Sequence, residues 1–213
     1  MPRWVELVVA AVALVLLSPV LLLVTLAVLV LSGRPVLYKQ VRMGKDAQPI
    51  TVLKFRTMTV GADSASRLTV DGARVTRVGA YLRRRRLDEL PQLVNVLRGD
   101  MSLVGARPEV PEYLLPRLPE QGEVLRHRPG VTDPASLAFR DEAALLAAAA
   151  DPDAFYRTTL LPAKVRLSAE YLRRRTFGSD VGVLLRTLRC LVAPSAAAPP
   201  LLPERTRRPV TPR

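Results

Sequence analysis

The chain has 213 residues and a mass of 23.4 kDa, room for one compact domain with a short appendage and too little for a multidomain machine. Lys and Arg number 32 against 19 Asp and Glu, so a net charge of +13 and a pI near 11.0 direct the protein toward an anionic partner: a phosphorylated substrate, nucleic acid or phospholipid head groups. A single cysteine, Cys190, excludes an internal disulfide and a Cys-built zinc site, and a single histidine, His127, is poor ground for a His-based metal site or a Ser-His-Asp triad, which leaves carboxylates, Lys and Arg to carry any catalysis.

The apolar excess behind the mean hydropathy of +0.16 lies near the N-terminus. Leu7 to Leu31 is a run of 25 residues without charge, interrupted only by Ser18 and Thr25, where about 20 apolar residues suffice to cross a bilayer core. It is longer than the core of a cleaved signal peptide and runs into Ser32-Gly33-Arg34-Pro35 instead of a small-residue cleavage site. Ser18-Pro19 falls at its middle. The proline removes an i to i−4 hydrogen bond and bends the helix, and the Ser18 hydroxyl can satisfy the freed carbonyl of Leu14. Basic residues flank both ends, Arg3 before and Arg34, Lys39, Arg42 and Lys45 after, so the expectation is a re-entrant helix-break-helix that leaves both ends cytoplasmic; a straight span with a tolerated proline is the alternative.

Residues 50 to 58 alternate as a strand does, which puts Val52, Lys54 and Arg56 on one face and Leu53 and Phe55 on the other. Arg83 to Arg86 reads as a solvated or lipid-facing patch. Residues 88 to 99 read as one helix with Leu90, Leu93, Val94 and Leu97 at i, i+3, i+4 and i+7, Pro91 in the first turn and Gly99 as the stop. Asp88 then stands at or beside the N-cap, where free N–H groups keep a carboxylate ionised and favour an approaching phosphate. Neighbours on a helix diverge by about 100°, so Asp88 and Glu89 would face different partners. On spacing alone the plainer reading, Asp88 as an N-cap and Glu89 as a first-turn acid favoured by the dipole, is the preferred one.

Arg107 lies on a loop beside Pro108, where a planar fork can grip phosphate. Pro129-Gly130-Val131-Thr132-Asp133-Pro134 has the chemistry of a turn and reads as a connector, and His127 reads as an exposed or packing residue. Residues 141 to 150 form an alanine-rich helical stretch. Helices over 162–175 and 180–192 follow, the second with an apolar stripe beside Arg186 and Arg189 that suits either a core or a membrane interface. From Pro194 the Ala-, Pro- and Arg-rich tail has too little apolar content to fold. The fold class expected is α+β, mostly helical: a membrane hairpin over 1–33, a small cytoplasmic domain over 34–193 with short strands and amphipathic interfacial helices, and a disordered tail over 194–213.

Lys54-Phe55-Arg56-Thr57-Met58, the run from Leu87-Asp88-Glu89-Leu90-Pro91-Gln92-Leu93 through Asn95 to Gly105, then Arg107-Pro108 and Pro129-Gly130-Val131-Thr132, closely resemble the bacterial sugar transferase family, and more narrowly its small monotopic phosphoglycosyl transferases. The resemblance implies transfer of a sugar 1-phosphate from a UDP-sugar to polyprenyl phosphate with release of UMP and with Mg²⁺ as cofactor, the initiating step of glycan assembly at the bacterial inner membrane. It implies that Asp88 is a nucleophile forming a phosphosugar-enzyme intermediate, that Glu89 binds Mg²⁺, that Lys54, Arg56, Arg83, Arg107 and Pro108 serve the substrate, and that Ser18-Pro19 breaks the membrane segment. Membrane lipids are expected partners and nucleic acid is not, with a homodimer left open. Two departures stand out: the usual Gly-Pro-Arg-Pro reads Gly105-Ala106-Arg107-Pro108, which loosens the turn under Arg107, and Arg85-Arg86 stands where many members carry small hydroxyl residues.

A carboxylate attacking a charged pyrophosphate needs cations to neutralise it, and no His or Cys, so the chemistry suits the composition. The rival reading from pI and the arginine run is a membrane-tethered nucleic-acid-binding protein, but aromatics are only 5% and no helix-turn-helix or RNA-binding motif is present.

Overall fold

The computed structural model describes residues 1–61, 74–115 and 118–192. The apolar run folds as two helices, α1 (Arg3–Leu16) and α2 (Ser18–Ser32), that meet at 60° around Leu17. Pro19 lies in the first turn of α2, where no intrahelical bond is lost, so the proline opens a helix instead of kinking one. The Ser18 hydroxyl donates to the Val15 carbonyl at 2.7 Å, not to Leu14 as expected, because α1 closes on Leu17 at φ −89°, ψ 0° and the nearer carbonyl is the one presented. With 14 and 15 residues the two helices rise about 21 and 22 Å, each short of a bilayer core of about 30 Å. No single described helix is long and apolar enough to cross a membrane, whereas the bent pair together has the length and composition.

Each helix is buried along one side only. Ala10 of α1 shares a core with Val96, Met101, Val104 and Val183, and Val24 and Val28 of α2 share another with Phe55 and Leu82. The opposite sides expose Val12, Val15, Leu16, Leu22, Leu23 and Val30.

Strands β1 (Leu37–Met43) and β2 (Pro49–Phe55) form an antiparallel hairpin that sets Tyr38 opposite Lys54. The strand expected over 50–58 therefore ends three residues early: β2 stops at Phe55, one further bond runs from the Arg56 N–H to the Val36 carbonyl at 2.9 Å, and Met58 forms an isolated bridge with Val75. The cause is α3 (Arg77–Arg84), which docks on the strand's exit. Thr76 caps it by accepting from the Gly79 N–H at 2.9 Å, the Thr76 N–H donates to the Thr57 carbonyl at 3.0 Å, and a Cβ on Gly79 would stand 2.0 Å from that same carbonyl oxygen. Only glycine permits this approach.

The helix expected from Asp88 to Gly99 is split. Leu87–Glu89 is a 3₁₀ turn entered through a left-handed Arg86 (φ 56°), and α4 spans Gln92–Arg98. Pro91 has no N–H for the Leu87 carbonyl, which takes the Leu90 N–H at 3.3 Å instead, so the α-helical ladder cannot cross it. Asp88 is thus inside a tight turn and not an α-helix N-cap. Gly99 ends α4 in the left-handed region at φ 94°, as its spacing predicts.

Strand β3 (Ser102–Val104) pairs in parallel with β4 (Gly130–Thr132), with α5 (Pro119–Leu125) between them. Gly130 is no mere connector: a Cβ there would lie 2.1 Å from the Gly105 nitrogen, so the two backbones touch. Beyond β4 come α6 (Pro134–Ala138), α7 (Glu142–Ala147), α8 (Pro152–Phe155), a π-helical turn at Tyr156–Leu160, α9 (Leu161–Arg173) and α10 (Phe177–Val192). The alanine-rich stretch is helical only over 142–147, since Asp151 opens α8 by accepting from the Ala154 N–H at 3.0 Å. Helix α9 buries Leu161, Lys164, Val165, Ser168, Ala169 and Leu172, which makes it a core helix and not an interfacial one. Helix α10 starts three residues before the expected 180, at a Thr176/Ser179 cap, and exposes Leu185 and Leu188 beside Arg186 and Arg189. The tail expected to be disordered lies outside the described residues. Among the described residues the architecture is α+β and mostly helical, with two small sheets.

Candidate active site

Asn95 is fully buried and seats α4 on the free edge of β2. Its Oδ1 accepts the Leu53 N–H at 3.0 Å, and its Nδ2 donates to the Thr51 carbonyl at 2.7 Å and to Asp100 at 3.1 Å. A side chain amide thus takes the place of a neighbouring strand and fixes where the Leu87–Glu89 turn stands relative to Lys54.

Glu89 is the centre of an ion-pair cluster. Arg107 meets it in bidentate fashion, Nη2 at 2.5 Å from Oε1 and Nη1 at 3.3 Å from Oε2, Lys54 Nζ is 3.4 Å from Oε1, and Arg86 Nη1 is 3.9 Å from Oε2. Burial alone would push this carboxyl up, but the charges of Arg107 and Lys54 and the Arg107 hydrogen bond outweigh it and hold Glu89 well below the usual carboxylate range. Burial, then the proximity of Arg107, brings Lys54 down to about 8, with Glu89 opposing. Arg107 is held even more firmly charged by Glu89.

Asp88 behaves in the opposite way. It is 9% exposed and, among the described residues, its carboxylate has no hydrogen-bond partner. Burial and then Glu89 raise its pKa, against the attraction of Lys54, Arg83 and Arg107. A carboxylate oxygen close to cations yet not tied by hydrogen bonds keeps its lone pairs available for attack when the proton is off. Four cations, Lys54, Arg83, Arg86 and Arg107, surround two carboxylates, and the imbalance leaves room for a polyanion.

The arginines are placed by long-range contacts. Arg83 lies one turn after Gly79 on α3 and its Nε donates to Thr57 Oγ1 at 2.8 Å. The Arg83–Arg86 run thereby divides: Arg84 and Arg85 are exposed, while Arg83 and Arg86 are partly buried and face the acids. Arg107 follows Gly105-Ala106, which is clamped to β4 through Gly105 N–H to the Thr132 carbonyl at 3.0 Å and Gly130 N–H to the Ala106 carbonyl at 2.9 Å. On its other side, Arg42 donates to the Pro108 carbonyl at 3.0 Å, the Met43 N–H donates to the Glu109 carbonyl at 2.8 Å, and the Glu109 carboxylate accepts from the Tyr156 hydroxyl at 3.0 Å. These fastenings supply the rigidity that Ala106 does not. Pro108 is buried in this support and reaches the site through the loop.

The structure does not bring Arg56 into the site. Its guanidinium donates to the carbonyls of Ser32, Gly33 (2.8 Å) and Arg34 (2.8 Å), closing the C-terminal end of α2 at 6% exposure. Strand alternation predicts that Lys54 and Arg56 share a face, but Arg56 follows the last residue of β2, and although its N–H still donates to the Val36 carbonyl at 2.9 Å, its guanidinium is held by the carbonyls at the end of α2.

A family model described as bacterial sugar transferase matches residues 1–194. The chain belongs to this family. It is similar to a Klebsiella pneumoniae protein named UDP-glucose:undecaprenyl-phosphate glucose-1-phosphate transferase, 46% identical over 132 residues, which cover 60% of this chain and 28% of the relative. A protein of the same name from Escherichia coli (strain K12) is 37% identical over 189 residues, covering 86% of this chain and 38% of the relative. The exopolysaccharide production protein ExoY of Rhizobium meliloti is 34% identical over 198 residues, with 84% and 80% covered. The chain thus spans well under two thirds of the length of the first two.

Asp88 and Glu89 also bear on whether the family member can hold Mg²⁺. Such an ion commonly takes one or two carboxylates and fills its shell with substrate phosphates and water. One unpartnered carboxylate beside a second fits that pattern, with Glu89 exchanging part of its Arg107 contact. Among the described residues no group of three or more His, Cys, Asp or Glu is placed to hold a metal, so phosphates and water would complete the shell. Asn95, Thr57, Arg42 and Glu109 are supporting residues that the sequence pattern does not single out: Asn95 lies off the apolar stripe of Leu90, Leu93, Val94 and Leu97, and the face of α4 that is buried carries Gln92, Leu93, Asn95 and Val96.

Proposed function

We propose that the chain transfers a sugar 1-phosphate from a UDP-sugar to polyprenyl phosphate and releases UMP, the initiating step of exopolysaccharide or related glycan assembly. The observation that carries this reading is Asp88: a buried carboxylate without a described hydrogen bond, flanked by Lys54, Arg83 and Arg107. An Asp88 oxygen attacks the β-phosphorus, the bond from that phosphorus to the oxygen bridging the two phosphates breaks, and UMP departs with the electron pair. A polyprenyl phosphate oxygen then attacks the same phosphorus, restoring the carboxylate and forming the polyprenyl diphosphate sugar. Lys54 and Arg83 hold the pyrophosphate against Asp88, and Arg107 passes from Glu89 to the phosphate as charge builds on the leaving group. Mg²⁺, which Glu89 would hold, would supply further neutralisation of the phosphate charge when bound.

In the same proposal α1 and α2 enter the inner membrane from the cytoplasmic side and return. Both ends of the pair are tied to one body: Arg3 donates to the carbonyls of Val96 and Met101 (2.9 Å), and Arg56 holds the carbonyls at the end of α2. The acceptor, which stays in the bilayer, would thereby meet a cytoplasmic donor at the surface, with the exposed Leu185 and Leu188 of α10 as a further lipid contact. The test is to incubate wild type with UDP-sugars alone and digest after rapid quenching. One sugar phosphate on the peptide containing Asp88 is expected, and Asp88→Asn should lose turnover yet bind donor. An adduct on another residue, or none, overturns the assignment.

A further inference from the structure

Beside the first turn of α1 lies a second concavity, of about 200 Å³, to which none of Lys54, Arg83, Asp88, Glu89 or Arg107 contributes. Its wall is polar and cationic: Arg3 and Arg175 at the base with Met1, and Lys45, Arg126 and Arg128 at the rim, with Glu6 as the only carboxylate in the lining among the described residues. The base leaves no negative charge unpaired. Glu6 is 2.9 Å from Arg3 and 3.5 Å from Arg175, Arg175 is 2.9 Å from Asp180, and the Met1 ammonium also pairs with Asp180, so two buried acids face three cations in a fixed floor whose negative charge is already spent.

The rim is not balanced. Arg128 donates one N–H, from Nε, to the Gly99 carbonyl at 3.0 Å, the Lys45 ammonium has only its exposed neighbour Asp46 at 3.8 Å, and the Arg126 guanidinium has no hydrogen bond or ion pair among the described residues. Three cations held around a polar hollow repel one another, and an anion relieves that cost. Two guanidinium forks match the oxygens of a phosphate better than a lone halide. At about 30 Å³ of liquid per water the volume corresponds to six or seven waters, room for a phosphate carrying a glycerol-sized substituent. Trp4, 69% exposed, and Val8 begin the apolar face of α1, on the same first turns that carry the Arg3 and Glu6 of this lining.

We propose that this concavity is a second anion site, separate from the candidate active site, which takes a phosphate ester. The ester comes either from the head group of an anionic phospholipid or from a soluble phosphate compound, and the first source rests on the membrane insertion proposed above.

The test uses the full chain in nonionic detergent. Its single tryptophan, Trp4, reports binding by fluorescence, and calorimetry checks the result. Short-chain phosphatidylglycerol, short-chain phosphatidylcholine and inorganic phosphate are titrated separately into wild type, into Lys45→Gln/Arg126→Gln/Arg128→Gln, and into a control that loses the same charge elsewhere, Arg174→Gln/Arg186→Gln/Arg189→Gln. Saturable binding of phosphatidylglycerol but not phosphatidylcholine, weakened about tenfold or more in the first variant and retained in the control, is expected. Binding of phosphatidylglycerol alone identifies a lipid source, and binding of inorganic phosphate with the same dependence identifies a soluble one. No saturable binding of either, or equal weakening in both triple variants, overturns the site. Asp88→Asn should keep this binding, so the result stands apart from the fate of the transferase reading.

Discussion

Lys54 offers the sharpest quantitative test of the proposed chemistry. Its ammonium group is 3.4 Å from Glu89 with a side chain 17% exposed, and burial together with Arg107 brings it from 10.5 to about 8. The donor pyrophosphate needs this residue as a cation, and rising pH removes the proton, so kcat/KM for the donor, which reports the free enzyme, should bend downward above pH 8. At pH 7 about nine tenths of Lys54 is protonated, and at pH 9 about one tenth, so kcat/KM should fall roughly tenfold across that interval. Unfolding would not cause the loss. Between about 8 and 10.5 the unfolded chain binds the Lys54 proton and the folded chain does not, so by linkage this group makes unfolding harder as pH rises, by at most about 3 kcal/mol. The assay is UMP release at subsaturating donor from pH 6.5 to 9.5 at constant ionic strength, beside a melting curve at each pH. Lys54→Arg, with a guanidinium charged throughout, should lose the alkaline limb even if its plateau is lower. A flat wild-type profile through pH 9.5, or the same limb persisting in Lys54→Arg, refutes the reasoning.

Glu89→Gln should lower turnover about 10²- to 10³-fold and cost about 3 kcal/mol in denaturant unfolding, because it leaves Arg107 and Lys54 facing a neutral group; excess chelator should abolish wild-type turnover, and full activity in chelator would remove the metal from the proposal. Arg56→Ala should lower stability by about 2–4 kcal/mol while the KM for donor stays unchanged in the folded fraction, and a tenfold rise in KM would return Arg56 to the substrate. Replacing Ser18 and Pro19 by Ala and Leu should straighten the helix pair and carry the N-terminus across the membrane. In a Cys190→Ser background, cysteines near residues 2 and 36 probed with an impermeant thiol reagent on intact cells check this, and labelling near residue 2 in the otherwise wild-type chain would make the segment an ordinary span.

The helices of the N-terminal apolar run, α4 from Gln92 onward, α9 and α10 were readable from the sequence, because an unbroken apolar run, a 3.6-residue apolar period and a glycine stop are local properties of the chain; the buried face of α4 was not, since Leu97 is exposed and Gln92, Asn95 and Val96 are buried. The same is true of the adjacent acids at 88 and 89 and of the cationic character of their surroundings. Tertiary structure decided which charge meets which. Lys54 and Arg56 are identical in local pattern, yet α3 ends β2 at Phe55, and one cation reaches Glu89 while the other closes α2. Asp88 and Glu89 differ by one position in a turn that Pro91 creates, and only the distant Arg107 makes one a bound ion and leaves the other unpartnered. Arg107 itself stands where it does through Gly130, Arg42, Glu109 and Tyr156, contacts whose separation along the chain puts them beyond any short-range rule. Burial completes the division: a carboxylate's protonation and a lysine's affinity for its proton depend on the solvent removed around them, and that is settled only when remote segments pack together.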